Sequence, residues 1–200
     1  MELLIEKVIV YVSDLFKYYS NPTLIYHNFT HTLNVAEQAT EILDHVNLSG
    51  TDQAIVTIAA WFHDTGHLFN IIQGHEEKSV EIMDDFLSRQ SCNRPVIDEI
   101  ASCIMATRIP AQPTSLKQEV LCDADTYHLG TNEFERTDAL IKLEFEQREG
   151  VVVDNWDFKT LEFLKTHIFY TSYCRDKLGE GKARNIANLY YKITTSNQNL

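Results

Sequence analysis

Residues 59–67 read Ala-Ala-Trp-Phe-His-Asp-Thr-Gly-His, and this stretch decides how the fold is interpreted. It closes an apolar run that begins at Ala54 and is apolar almost all round at 3.6 residues per turn. Such a helix is typical of the centre of a helical bundle. His63 and Asp64 stand side by side where the run stops, and Gly66 predicts the end of the helix.

The charge pair at the end of this helix admits two interpretations. A carboxylate at a buried helix end is costly unless a cation pairs with it, and the adjacent imidazole of His63 favours a metal ion. A capping Asp64 and a hydrogen-bonded core His63 would explain the same dipeptide. Other parts of the chain must therefore decide between the two.

The overall composition excludes some classes of function. The chain has 200 residues, enough for one domain with a full core, and its 29 acidic and 17 basic residues give a net charge of −12. No run of Lys or Arg forms a basic stripe, which argues against binding a nucleic-acid polymer. A small anionic substrate stays compatible with the sequence if a cation offsets the field locally.

The N-terminus and the hydropathy pattern predict the compartment. The first residues lack the basic start and small-residue cleavage site of a signal peptide, and no apolar run approaches the roughly 20 residues that span a bilayer. We expect a cytoplasmic protein with no membrane partner. The sequence leaves the oligomeric state open.

Helical periodicity runs through the chain and predicts an all-α, single-domain bundle over residues 1–200. The motif core spans about residues 24–130, the helices over residues 131–195 pack on it, and residues 196–200 are expected to fray. The predicted helices cover residues 3–19, 28–47, 51–66, 75–90, 95–107, 115–129, 132–149, 155–169, 170–178 and 183–195.

The predicted helix over residues 115–129 carries an acid on its apolar face. At 100° per residue Asp123 lies between Leu116 and Tyr127, in the middle of that face, whereas Asp125 points to the opposite side. Without a cation, an inward Asp123 would have a raised pKa and be neutral. With a cation, it is a ligand.

His31 lies at the border of the apolar arc of the helix that Asn28 caps, where a ligand facing a half-buried site would lie. Three helices thus contribute His31, His63, Asp64 and Asp123. Two imidazoles and two carboxylates suit a divalent ion such as Mn²⁺, Fe²⁺, Co²⁺, Ni²⁺, Mg²⁺ or Zn²⁺.

The order of these residues resembles the HD-domain superfamily of metal-dependent phosphohydrolases. Residues 26–31, Tyr-His-Asn-Phe-Thr-His, resemble a Tyr-His-Asn-x-x-His motif that cyclic-nucleotide phosphodiesterases also have. Residues 62–67 resemble the central His-Asp motif, residues 121–125 the closing Asp-Ala-Asp, and residues 74–76 and 104–107 the segments between them. The resemblance implies an all-α bundle that holds a divalent ion between helices, with ligands His31, His63, Asp64 and Asp123.

The resemblance also implies catalytic roles. It gives His27 the role of proton donor and places Asp64 in the reaction centre. His67 stands where several members carry a Glu that orients the attacking water, so here it is a base, a ligand of a second metal or a surface residue.

The neighbouring charged residues have open roles. His75 and Glu76 would hold a second ion or support the first, and Glu76 has the simpler interpretation of a helix-capping acid. Lys78 and Arg108 are the nearest basic candidates for a substrate phosphate, although each would also fit a solvated surface.

These observations favour a metal-dependent phosphohydrolase, a phosphomonoesterase or phosphodiesterase, acting on a small phosphate ester such as a nucleotide. Two other functions stay open. One is a di-iron oxygenase, which would use His67 and His75 as extra ligands, and the other is a non-catalytic sensor that binds a nucleotide or a metal.

Overall fold

The structure, a computed structural model, describes residues 1–69 and 71–196, with Ser196 described by its backbone alone. All regular secondary structure in these residues is helical, which confirms the predicted all-α class. The α-helices are α1 (Glu2–Tyr18), α2 (Phe29–Leu43), α3 (Gly50–Phe62), α4 (His75–Arg89), α5 (Arg94–Ala106), α6 (Leu116–Asp125), α7 (Phe134–Glu149), α8 (Trp156–Thr166) and α9 (Ser172–Ser196). Short 3₁₀ helices cover Thr65–Phe69 and Tyr127–Gly130.

Helix α3 lies at the centre of the bundle, as the apolar run from Ala54 predicts. It contacts α1, α2, α4, α5 and α6. Phe62, its last residue, is fully buried, which contributes about 1.5–3 kcal/mol to stability. One hydrophobic cluster extends around it from Val8 in α1 to Leu189 in α9. His63 and Asp64 follow directly at the inner end of this buried helix.

The start of α2 is fixed by the predicted cap. The side-chain oxygen of Asn28 accepts hydrogen bonds from the backbone amides of Thr30 at 2.9 Å and His31 at 3.3 Å. The side-chain amide of Asn28 donates to the carbonyl of Ile25 at 2.7 Å. This cap satisfies amides that have no partner within the helix, and it places His31 in the first turn.

Helices α2 and α3 end at Leu43 and Phe62, about one turn earlier than predicted, and two further predictions differ from the structure. Helix α6 ends at Asp125, and the chain then tightens into the 3₁₀ helix that ends at Gly130. The two helices predicted over residues 170–178 and 183–195 form the single helix α9 of 25 residues. Gly179 and Gly181 lie within this helix, and a Cβ on Gly181 would overlap the carbonyl oxygen of Gly130. Gly181 therefore serves close packing.

Across the described ranges, no helix is both long and apolar enough to cross a membrane. The frayed tail predicted over residues 196–200 lies, beyond the backbone of Ser196, outside the described residues.

The two glycines of α9 provide a matched test of this packing. Gly181→Ala should lower the free energy of unfolding by about 1–3 kcal/mol, because its methyl group meets the backbone of Gly130. Gly179 has nothing within 4 Å of a built Cβ, so Gly179→Ala should raise stability by about 0.5–1 kcal/mol through helix propensity. Urea unfolding followed by circular dichroism measures both. Equal stability of the two variants would contradict the close approach.

Candidate metal centre

Four side chains from α2, the end of α3 and the end of α6 meet at one point. His31, His63, Asp64 and Asp125 each offer one atom, and these atoms all lie within 4.8 Å of one another. His31 Nε2 is 3.2 Å from both Asp64 Oδ2 and Asp125 Oδ1. His63 Nε2 is 3.2 Å from Asp64 Oδ2 and 3.5 Å from Asp125 Oδ1. Two ligands bound at about 2.1 Å and at right angles lie about 3 Å apart, so the spacing suits a shared ion.

The hydrogen bonding of the cluster tests whether it fits a metal ion. His31 Nε2, His63 Nε2 and Asp64 Oδ2 are buried and have no hydrogen-bond partner within the described part of the chain. Buried polar atoms in proteins nearly always have a partner. His63 Nδ1 lies 2.8 Å from the carbonyl of Ala60, so it carries the hydrogen and leaves a lone pair on Nε2. Imidazole lone pairs and carboxylate oxygens that face one point fit a divalent cation.

The electrostatics of the cluster also fit a divalent cation. Burial by itself lowers the pKa of His63, but the carboxylates of Asp64 and Asp125 raise that pKa well above its ordinary value. Burial raises the pKa of Asp64, whereas His63 and His31 lower it, and the pKa ends well below its ordinary value. Two carboxylates here therefore require two positive charges, either two protons on imidazoles or one divalent ion.

The predicted position of Asp123 needs a correction. Asp123 is fully buried, as expected, but its carboxylate accepts hydrogen bonds from the backbone amides of Tyr170 at 2.7 Å and Thr171 at 2.8 Å. It also accepts one from the hydroxyl of Thr171 at 2.7 Å. Asp125 faces the two imidazoles instead, so the prediction that Asp123 points to the ion and Asp125 away from it is wrong.

The error has a physical cause. Both faces of α6 are covered, since one packs on α2 and α3 and the other lies under the connection between α8 and α9. Periodicity shows that Asp123 points inward but not which neighbour it meets. The Asp-Ala-Asp spacing places Asp123 and Asp125 on nearly opposite sides of the helix, so the two acids do not both face one ion. The spacing does not show which of the two faces it.

A second group of ligand atoms adjoins the first. His27, Asp64 and His67 offer atoms that all lie within 4.8 Å of one another. Asp64 Oδ1 lies 4.0 Å from His67 Nε2 and 3.6 Å from His75 Nε2. The rings of His67 and His75 stack at 3.9 Å, and His67 is 3% exposed, which rules out a surface role for it. Both oxygens of Asp64 thus face imidazoles.

A buried acid on α7, which sequence reasoning missed, holds the segment before α2. Glu144 is 2% exposed and accepts hydrogen bonds from the backbone amides of Tyr26 at 2.7 Å and His27 at 2.9 Å. Its other oxygen lies 2.7 Å from His27 Nδ1 and 2.9 Å from Arg148 Nη1. The backbone and the ring of His27 are therefore both fixed by one carboxylate.

Arg148 extends this contact to the other side of the site. Its Nη1 lies 3.0 Å from His67 Nδ1, and its Nη2 donates to the carbonyl of Ile71 at 3.1 Å. Helix α7 thus orients His27 and His67 together. The spacing of Glu144 and Arg148 is typical of a surface ion pair on a charged helix, so no sequence signal separated them from their solvated neighbours.

A cavity of about 620 Å³ opens over the cluster, with His27, Asp64 and Asp125 among its lining residues. Arg108 lines it as well, and its guanidinium pairs with Glu77 and, at 3.3 Å, with Glu76.

The remaining candidates for this cavity differ in position. Glu76 is buried, and its Oε1 lies 3.6 Å from His75 Nε2, which agrees with a supporting role. Lys78 is not part of the cavity wall, since it pairs with Glu81 at 2.8 Å and lies 5.3 Å from the centre of the Phe69 ring.

Comparison with known proteins agrees with this geometry. The family model described as HD domain matches residues 28–130, just over half of the chain. A crystal structure of a predicted HD superfamily hydrolase from an uncultured Thermotogales bacterium is similar in fold, with a TM-score of 0.57 and 22% sequence identity. The similarity covers 97% of this chain and 89% of that one. No curated protein matches the sequence.

The two acids of α6 give a test of the ligand set. Asp125→Ala should weaken metal binding by at least about 100-fold, because it removes a ligand, and should leave the helical content intact. Asp123→Ala should destabilise the metal-free protein by about 2–4 kcal/mol, because the amides of Tyr170 and Thr171 lose their acceptor. Elemental analysis and urea unfolding in chelator measure the two effects.

Asp123→Asn is the matched control, since it keeps an acceptor oxygen and should restore much of the stability. If Asp125→Ala kept its normal metal content and a folded Asp123→Asn lost its metal, Asp123 and not Asp125 would be the ligand.

Proposed function

We propose that this chain, which belongs to the HD-domain family, hydrolyses a small phosphate ester, such as a nucleotide, with a divalent ion held by His31, His63, Asp64 and Asp125. One observation carries the proposal. Buried ligand atoms without hydrogen-bond partners converge at a cavity large enough for a small molecule, and an ionisable His27 stands beside them. The Thermotogales protein of similar fold is a predicted HD superfamily hydrolase, which supports the same class of reaction.

A divalent ion at this point supplies Lewis acidity for a phosphoryl oxygen and for the attacking water. In the overall reaction the water oxygen bonds to phosphorus, the bond from phosphorus to the ester oxygen breaks, and the alcohol leaves with a proton. The protein's own residues must supply that proton, hold the ester in line and accept the proton of the water.

His27 is the proton donor in this proposal. Its Nδ1 lies 2.7 Å from Glu144 Oε1, and one of its ring nitrogens lies within 4.8 Å of ligand atoms of Asp64 and His67. Burial alone would raise the pKa of Glu144, but its hydrogen bonds with His27 lower that pKa to about 2. The ionised carboxylate accepts the Nδ1 hydrogen of His27 and fixes the orientation of its ring beside the metal cluster.

His67 is the residue that orients the attacking water in this proposal. Burial, reinforced by the neighbouring His27, lowers the pKa of His67 well below its ordinary value, so the ring is neutral. Its Nε2 has no hydrogen-bond partner in the described ranges and lies 4.0 Å from Asp64 Oδ1. In the tautomer in which Nδ1 donates to the carbonyl of Ile71 at 3.1 Å, Nε2 carries a lone pair. That lone pair accepts a proton from water, and it also suits a second ion.

Chelation gives the first test of this function. Phosphate release from a panel of nucleotides and sugar phosphates should fall at least about 100-fold after treatment with chelator and should return with Mn²⁺, Co²⁺, Ni²⁺ or Mg²⁺. Asp64→Asn, purified in parallel, controls for contaminating phosphatases and should stay inactive with every metal.

The other outcomes of this assay separate the alternatives. A rate of phosphate release that is unchanged by the chelator would overturn the proposal. Two irons per chain with an oxygen-dependent product would indicate an oxygenase, and nucleotide binding without turnover under any of these metals would indicate a sensor.

Replacement of His27 tests the proton donor. His27→Asn should slow hydrolysis of an alkyl phosphate by about 10²–10⁴-fold, because the leaving alkoxide then receives no proton. Hydrolysis of p-nitrophenyl phosphate should slow much less, since p-nitrophenolate leaves without one. Metal content, measured alongside, should stay at the wild-type value. An equal loss on both substrates would show that His27 acts in binding and not as the acid.

A further inference from the structure

A second cavity lies beside His27, between α7 and α8, and encloses about 320 Å³. We call it the α7–α8 pocket. His27, Asp125 and Ile109 line both this pocket and the cavity over the metal cluster. The two spaces therefore meet at the residue proposed to protonate the leaving group. A phosphate at the cluster can therefore direct its organic part into the α7–α8 pocket.

The walls of the α7–α8 pocket are largely apolar and aromatic. Phe134 and Ile141 come from α7, and Trp156 and Phe163 come from α8. The indole of Trp156 is fixed in place, since its Nε1 donates to both carboxylate oxygens of Asp138 at 3.0 Å. A rigid aromatic wall of this kind suits a flat ring.

One cation at this pocket has no side-chain partner among the residues that the structure describes. The chain has 17 Lys and Arg residues, and within residues 1–69 and 71–196 each of the others makes a hydrogen bond or an ion pair. The ammonium group of Lys159, which lines the α7–α8 pocket, makes neither in those ranges. In a chain with a net charge of −12, an unpaired ammonium group at an apolar pocket is available to a ligand.

We propose that the α7–α8 pocket binds a planar heteroaromatic ring carried by the leaving group, with Trp156 and Phe163 against its faces and Lys159 donating to its edge. This inference rests on the proposed function and narrows its substrate to nucleoside monophosphates, whose bases carry carbonyl or ring-nitrogen acceptors. A bare sugar fits poorly, because its hydroxyl groups would lose hydrogen bonds to water at these walls. An alkyl chain offers Lys159 no acceptor.

The test compares two substrates that break the same bond. In nucleoside 5′-monophosphates and in ribose 5-phosphate, the leaving group is the primary 5′-hydroxyl of ribose. The two substrates therefore differ mainly by the base. The kcat/KM of the best of the four ribonucleoside 5′-monophosphates should exceed that of ribose 5-phosphate by at least about tenfold, the scale at which pocket contacts discriminate. Phe163→Ala and Lys159→Met should each shrink that ratio severalfold, by lowering the nucleotide value.

Lys165→Met is the matched control. Lys165 is on the same helix, pairs with Glu162 at 2.8 Å and is not part of the pocket wall, so its variant should keep the wild-type ratio. A wild-type ratio near one, or a ratio that neither pocket variant changes, would overturn the inference while leaving the phosphohydrolase proposal intact.

Binding provides a second measurement that does not depend on turnover. Trp61 and Trp156 are the two tryptophans of the chain, so Trp61→Phe leaves Trp156 as the sole emitter. Adenosine or uridine should quench its fluorescence saturably, ribose should not, and Lys159→Met in that background should weaken the effect. If neither phosphate ester is hydrolysed but the nucleoside binds, the proposed function fails and the pocket assignment stands. No saturable change with any nucleoside would overturn the pocket.

Discussion

The structure depends on the pairing of two carboxylates at the inner ends of buried helices. Asp64 and Asp125 face His31 and His63 across 3.2–3.5 Å, yet three of the four facing atoms have no hydrogen-bond partner among the described residues. Such an arrangement is costly unless a cation completes it. The central helix α3 is apolar enough to bury its end completely, and the cap at Asn28 sets the first turn of α2 against that end.

The helices beyond the family match complete the site. The HD-domain match ends at residue 130, but Glu144 and Arg148 on α7 fix the two histidines that flank the cluster. Glu144 receives four hydrogen bonds, so its burial is compensated, and the carboxylate acts as a rigid acceptor. The ion pair between Glu144 and Arg148 thus fixes His27, which directly precedes the family match, and His67, which lies within it.

The sequence predicted the parts of the fold that depend on interactions between residues close together in the chain. The cap at Asn28 and the central helix need nothing beyond their own residues, and both are confirmed. Asp123 and Gly181 could not be assigned in this way, because their roles depend on which backbone lies against them. Asp123 meets the connection before α9, and Gly181 meets Gly130. Periodicity predicts that a position is buried, but it does not predict which residue packs against it.

The distribution of positive charge decides how a phosphate ester would lie. Arg108 is the cation in the wall of the metal-site cavity, and Glu76 and Glu77 already neutralise it. A phosphate at this cavity therefore gains little from Arg108 unless it displaces a carboxylate, so the divalent ion must carry most of the attraction. An ion binds any phosphate ester alike and does not distinguish one alcohol from another. Selection among substrates must then come from groups that contact the organic part. Lys159, whose ammonium group has no partner in the described part of the chain, and its aromatic neighbours line the α7–α8 pocket together with His27.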